Sequence, residues 1–202
     1  MAIAFNCHDV YINTMNLIFR LVAICLSNII DRRHLDTFGA SELDFRVWPF
    51  DLDLNIHMNN GRYLSIMDLG RLDLMTRLGL TKYVFKNKWM PVLASINMRY
   101  RMPLKPFQKF RLDTNIVWWD DKWFYIEQRF VVKNERNKDV VAAIGFIKGS
   151  FYDRKEKQTV PSSDIQLILE TADADKPEKP NYITSWQNAE DDMRGLTSSE
   201  RK

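Results

Sequence analysis

Apolar and polar positions along this chain change period several times, and each change marks an element. From Leu17 to Ile30 the chain is strongly apolar and Arg20 interrupts it. Asn16, Arg20, Ala23, Ser27 and Asp31 recur at helical spacing, which predicts a helix with one narrow, weakly polar stripe. Leu43 to Pro49 alternates apolar and polar residues as a strand does, and stops at the proline. Tyr63, Leu64, Ile66, Met67, Leu69, Leu72, Leu74, Met75 and Leu78 then define a long helix that ends at Gly79. So many apolar positions cover more than one face, so this helix is expected to be largely buried. After a loop containing Trp89 and Pro91, four long strands follow: Val92 to Met102, Phe107 to Trp119, Trp123 to Lys133 and Val140 to Tyr152. Asp120-Asp121-Lys122 and Asn134 to Lys138 are the turns of a meander. A strand, a buried helix and four strands predict an α+β fold in which a curved antiparallel sheet wraps the helix.

The ends of the chain read differently. Residues 1–40 form an N-terminal apolar helix and linker, 41–160 the body, and 161–202 a short helix near Ser163–Glu170 followed by a tail. From Thr171 that tail is rich in Asp, Lys, Pro, Ser and Asn and has little to bury, so it is expected to be loosely draped. The N-terminal helix has three readings: packed on the body, lying on a membrane surface with Arg32 and Arg33 beside it, or, least favoured, a true span or uncleaved signal. At about 1.5 Å per residue it falls short of the roughly 30 Å of hydrocarbon that a spanning helix must cross.

Composition narrows the partners. A chain of 202 residues with 46% hydrophobic residues can build a packed core. A net charge of +3 with no basic arm gives no support for nucleic-acid binding. Cys7 and Cys25 cannot staple a secreted fold, and no His/Cys spacing suits zinc, so an intracellular protein without metal is expected.

The candidate chemistry lies in Asp51-Leu-Asp53-Leu-Asn55-Ile-His57-Met-Asn59-Asn60-Gly61-Arg62-Tyr63. Two carboxylates, an amide and an imidazole precede a helix start, where unpaired N–H groups and a partial positive charge gather. Asn59 or Asn60 can cap the helix and Gly61 lets the chain turn into it. Asp53 is the candidate base or nucleophile, Asn55 and His57 its helpers. The backbone near Asn59, Asn60 and Gly61 is a candidate oxyanion hole. Asp51 and Asp53 can also simply shape the loop by accepting backbone N–H groups. Tyr63 is a candidate pocket wall. Asp68, Arg71 and Asp73 interrupt the helix, and Asp68 is a further candidate substrate-binding residue.

The segment Asp53 to Tyr63 resembles the Asp-x-Asn-x-His-x-Asn-Asn-x-x-Tyr signature of plant-type acyl-carrier-protein thioesterases. It is also similar to the catalytic loop of the 4-hydroxybenzoyl-CoA thioesterase family. Phe45 to Leu80 and Trp118 to Phe124 resemble the THEM6-like thioesterases. The likeness covers roughly residues 40–155 and implies a hotdog fold, hydrolysis of acyl-CoA or acyl-carrier-protein thioesters, and an acidic catalytic residue at Asp53. It also implies a homodimer whose strands continue across the interface. No cofactor is expected beyond the coenzyme A of the substrate, since a thioester is already activated.

The acyl group is expected between helix and sheet, among Met67, Met75, Trp89 and Met98. Arg99, Arg101, Lys105, Lys109 and Arg111 are a basic cluster that suits the coenzyme A phosphates. A hotdog hydratase or dehydratase is a weaker alternative, because its Asp-x-Asn-Pro-x-His pattern sets His one residue further from Asp than His57 stands from Asp53. A non-catalytic acyl binder or membrane-associated scaffold is the third reading.

Overall fold

The computed structural model describes residues 17–30, 35–36, 38–169 and 176–198. In chain order the elements are α1 (Leu17–Ile30), β1 (Ser41–Arg46), α2 (Asn60–Arg77), α3 (Leu80–Asn87), β2 (Trp89–Tyr100), β3 (Lys109–Trp119), β4 (Phe124–Lys133), β5 (Asp139–Asp153), β6 (Gln158–Thr159), α4 (Ser162–Ile168) and α5 (Asn181–Ser198). The main sheet runs β1-β3-β4-β5-β2, with every pairing antiparallel and β6 added to β5. Register shifts at Leu93/Ser95, Ile116/Trp118 and Phe130/Val131 are bulges, and bulges increase the bend that lets a sheet curl. The curled sheet holds α2 against its inner face, which is the hotdog arrangement the pattern predicts.

Alternation along the strands puts Leu112, Phe130 and Ile147 on the inner face, where they meet Ile66 and Met67 of α2. A second cluster joins Leu74 and Leu78 of α2 to Ile116, Phe124, Phe151 and Ile165. Two glycines set how closely helix and sheet approach. A Cβ on Gly70 would come within 2.7 Å of side-chain atoms of Thr114, Gln128 and Leu112. A Cβ on Gly145 would stand 2.5 Å from Met67 Cε and 2.8 Å from Met98 Sδ. Met67 and Met98 pack against Gly145, and neither lines the cavity that lies between helix and sheet.

Four expectations are corrected. Gly79 adopts φ 72° and ends α2, but the chain re-enters a helix at once, so α3 occupies part of the expected loop. Trp89 and Pro91 belong to β2, where Pro91 sits on an edge strand and forfeits no interior ladder bond. Arg111 on β3 is drawn into ion pairs with Asp113 of its own strand, Glu42 of β1 and Asp139 of β5, so it does not share a basic cluster with Arg99 of β2 and the following Arg101.

The tail is the fourth correction. Its residues 171–175 lie outside the described residues, but α5 packs on the outer face of the sheet. Ile183 and Trp186 meet Trp118 and Tyr125, and Lys148 forms a buried 2.5 Å ion pair with Glu190. Ile183, Trp186 and Glu190 share one helical face, too short a stripe to stand out in so polar a segment.

Helix α1 has the predicted bounds and an unexpected orientation. Its polar stripe faces inward: Arg20 is 1% exposed, whereas Phe19, Val22 and Leu26 are exposed. Among the described residues no helix is long and apolar enough to cross a membrane. Asn16, Asp31, Arg32, Arg33 and Cys7 lie outside the described residues, and Cys25 is a free, exposed thiol.

Candidate active site

A 3₁₀ turn over Pro49–Asp51 leads from β1 into a closed hairpin. Asn59 N–H donates to the Asp51 carbonyl at 2.8 Å, Leu52 bridges Met58, and Asp53 N–H donates to the His57 carbonyl at 2.8 Å. Met58 is buried and its N–H donates to the Leu104 carbonyl, which roots the hairpin in the core. At its tip Ile56 has φ 59°, a left-handed conformation that a β-branched residue rarely adopts. Such strain persists where surrounding bonds over-determine it, and here they do.

Asp53 is half-buried at the base of this tip. Its Oδ1 accepts the N–H of Asn55 at 2.8 Å and that of His57 at 3.4 Å. The loop-shaping role is thus real for one oxygen, and Oδ2 makes no such bond among the described residues. Asn55 is exposed and His57 half-buried, and each gives its backbone N–H to Asp53.

The helix start divides its donors unequally. Asn59 is the cap: its Oδ1 accepts the Gly61 N–H at 2.8 Å. With the Asn59 N–H on the Asp51 carbonyl and the Gly61 N–H on the cap, the Asn60 N–H is the donor without an acceptor among the described residues. The Asn60 carbonyl accepts from Tyr100 Oη at 3.3 Å. Tyr63 is buried edge-on against Tyr100 and Phe130. Burial pushes its phenol up to about 12, with Tyr100 and Asp53 adding to the rise and a Leu104 backbone hydrogen bond opposing it.

Asp51 is not a second copy of Asp53. It is 1% exposed, and both of its oxygens are engaged. Oδ2 takes Arg20 Nη2 at 2.5 Å and the Trp48 N–H at 2.9 Å, and Oδ1 lies 3.0 Å from Arg62 Nε. Arg20 also reaches the Arg46 carbonyl, and Arg62 the Phe50 carbonyl. Breaking a buried pair of this kind costs about 3–5 kcal/mol, because the surviving charge stays desolvated. The lone arginine in an apolar run was the only sequence signal for this arrangement.

Further along α2, Asp68 and Arg71 pair at the rim of a cavity of about 230 Å³ between helix and sheet. Its walls are nearly all apolar, from Leu74, Met75 and Leu78 across to Ile116, Phe124 and Ile147, and the edge strand contributes Pro91 to Leu93. Arg71 also donates to Gln128 Oε1, and Gln128 Nε2 donates to the Met67 carbonyl and to Thr114. Burial lowers the Arg71 pKa, and Asp68 opposes that shift. Asp73 instead points into the protein, accepting from Ser41 Oγ and Arg77. Nothing in the strand pattern singled out Gln128 or Thr114. Asp53, Asn55 and His57 are not among the cavity's lining residues. Among the described residues no group of three or more His, Cys, Asp or Glu side chains is placed to hold a metal ion.

A curled sheet around one helix, with a carboxylate at the helix start, defines the hotdog class. The chain belongs to the thioesterase-like superfamily, which it matches over residues 47–169. It is 43% identical over 153 residues to protein THEM6 of Danio rerio, covering 76% of this chain and 70% of that one. Protein THEM6 of Drosophila melanogaster is 30% identical over 142 residues, covering 69% and 67%. Protein THEM6 of Xenopus laevis is 33% identical over 140 residues, covering 69% of this chain and 63% of that one. Among solved structures, a 4-hydroxybenzoyl CoA thioesterase mutant complexed with 4-hydroxybenzoyl CoA superposes with a TM-score of 0.59 at 12% identity, covering 64% of this chain and 97% of that one. That similarity concerns the fold alone.

Proposed function

We propose that the protein hydrolyses acyl-CoA thioesters, with Asp53 as base or nucleophile and the Asn60 N–H at the carbonyl oxygen. One observation carries this reading: a carboxylate with one oxygen tied to its own turn lies in the hairpin that leads into a helix start whose Asn60 N–H has no acceptor among the described residues. As a base, Asp53 takes a proton from water as its oxygen bonds to the carbonyl carbon, and the helix start stabilises the oxyanion. Collapse breaks the C–S bond and releases the acid and the thiol, the proton passing to sulfur. As a nucleophile, Asp53 expels the thiolate first and water then hydrolyses the acyl-aspartyl anhydride. Asn55 and His57 are the proposed helpers that orient water or the carbonyl in either route. Acyl-carrier-protein thioesters carry the same reacting bond.

The cavity is the proposed seat of the acyl group, with Asp68 at its rim. A cavity of ~150 Å³ holds benzene, so this one suits about eight or nine carbon atoms. The exposed cations Arg99, Arg101 and Lys105 are proposed to meet the coenzyme A phosphates.

A homodimer is part of the same proposal. Strand β2 is an edge, with Met90, Leu93 and Tyr100 exposed. Antiparallel pairing of two β2 edges sets the Tyr100 end of one chain, beside its helix start, next to the Pro91–Leu93 cavity rim of the other. We further propose a cytoplasmic protein whose α1 contacts a membrane surface through Phe19, Val22 and Leu26. Flotation with liposomes tests that contact, and an Asp at Val22 and Leu26 together should abolish it.

The deciding experiment is a panel of acyl-CoA substrates read by thiol release, with Asp53→Asn as the control. Release by the native protein and its loss in a folded Asp53→Asn variant is the expected result. Undiminished turnover in the variant would remove Asp53 from the mechanism. Acyl-CoA binding with no release from any substrate would leave a non-catalytic acyl binder.

A further inference from the structure

A helix that only rested on the protein would bury its leucines. Helix α1 buries Ile24 but turns Phe19, Val22 and Leu26 outward, and inserts Arg20 beside a buried carboxylate. A desolvated ion pair is a poor way to gain stability, and a hydrophobic pair of similar volume often serves as well or better. What the charged pair does supply is direction. Asp51 receives a donor from α1 (Arg20), one from the start of the 3₁₀ turn (Trp48) and one from the first turn of α2 (Arg62), and its carbonyl receives the Asn59 N–H. Two residues further on stands Asp53.

We propose that Arg20 and Asp51 are positioning residues for Asp53. With Arg62 they fix the hairpin of residues 51–59 against the first turn of α2, and so set where the Asp53 carboxylate lies relative to the Asn60 N–H. Helix α1 is then part of the active-site frame and not an appendage to it. The geometry favours this because each guanidinium also grips a backbone carbonyl of the same corner, Arg20 at Arg46 (3.3 Å) and Arg62 at Phe50 (3.0 Å). A simple charge neutraliser would need neither second bond.

This role depends on Asp53 being the catalytic carboxylate, so two readouts are needed. In full-length protein, Arg20→Met should lower kcat about tenfold or more while KM stays within about twofold, since displacements near 1 Å cost on the order of a hundredfold in rate. The double variant Arg20→Met with Asp51→Asn removes the stranded charge. It should melt closer to the native protein than the single variant does, and still turn over slowly. Native kcat in either variant overturns the proposal, because the pair would then serve stability alone. Hydrogen exchange needs no substrate: the Asn55, His57 and Asn59 amides should lose protection in the double variant. Unchanged protection there overturns the positioning role even if no thioester is cleaved, a result that would separately defeat the proposed function.

Discussion

Tyr100 Oη donates to the carbonyl of Asn60 at 3.3 Å, tying the edge strand of the sheet to the first residue of the central helix. The bond is long and solvent-accessible, so removing it should cost little in stability, about 0.5–1 kcal/mol. Its value lies in holding the peptide that follows the Asn60 N–H. Tyr100→Phe is expected to melt within a few degrees of the native protein and to lose more in kcat than in KM, read from steady-state thiol release.

The cavity sets a second expectation. Its walls are apolar except for the Asp68–Arg71 pair and the buried Ser150 hydroxyl, which has no hydrogen-bond partner among the described residues, so an acyl hydroxyl out of reach of Ser150 would be left unpaired at a cost of about 1–3 kcal/mol. Activity across a straight-chain series should peak near eight to ten carbons, by the volume comparison with a cavity of ~150 Å³ that holds benzene. Ile116→Phe should move that peak to shorter chains. An optimum unmoved by the substitution would detach the cavity from substrate binding.

Gly70 and Gly145 make a paired test of helix–sheet contact. Gly70→Ala drives a methyl into Thr114, Gln128 and Leu112, and disturbs the polar network under α2. Gly145→Ala meets the flexible ends of Met67 and Met98, which yield more readily. The first should lose about 1–3 kcal/mol in urea titration and the second less.

Ile56 carries its positive φ on an exposed loop tip, so it loses backbone energy and gains little packing. Ile56→Asn is expected to stabilise the fold by about 1 kcal/mol, because asparagine tolerates the left-handed region. Calorimetry checks the gain. A fall in activity beside it would show that the Ile56 side chain serves the site.

Burial raises the Tyr63 phenol to about 12 from the ordinary value of 10.0. The unfolded chain therefore releases this proton first, and stability should decline as pH rises from 10 towards 12. Below that window the contribution is fully present. Tyr63→Phe should flatten this decline in melting experiments between pH 9 and pH 12.

Much of the frame was legible because period and caps agree. Asn59 stands where a cap should, the long helix follows it, and β3 alternates from Phe110 to Trp118. Asp53 could be singled out because a carboxylate before a helix start has few structural reasons to be there. The rotation of α1 was not legible, since it buries Arg20 together with Ile24, and only the partner, Asp51, accounts for a buried guanidinium there. Helix α3 was hidden by Gly79, which ends one helix and permits the next to start. Helix α5 was hidden by composition: Ile183 and Trp186 are two apolar contacts in a polar segment, and the aromatic surface they meet comes from strands 60 residues away in sequence.

That surface also decides how the molecule should be handled. With α5 in place, Trp118 and Tyr125 are sealed, and no second sheet can stack back to back over them. A chain cut ahead of Asn181 would carry the hairpin of residues 51–59 intact and yet expose a strip of tryptophan and tyrosine beside a stranded Lys148. Shortened versions chosen to trim a polar tail would thus aggregate through their backs, while fusions placed after Ser198 leave that surface covered.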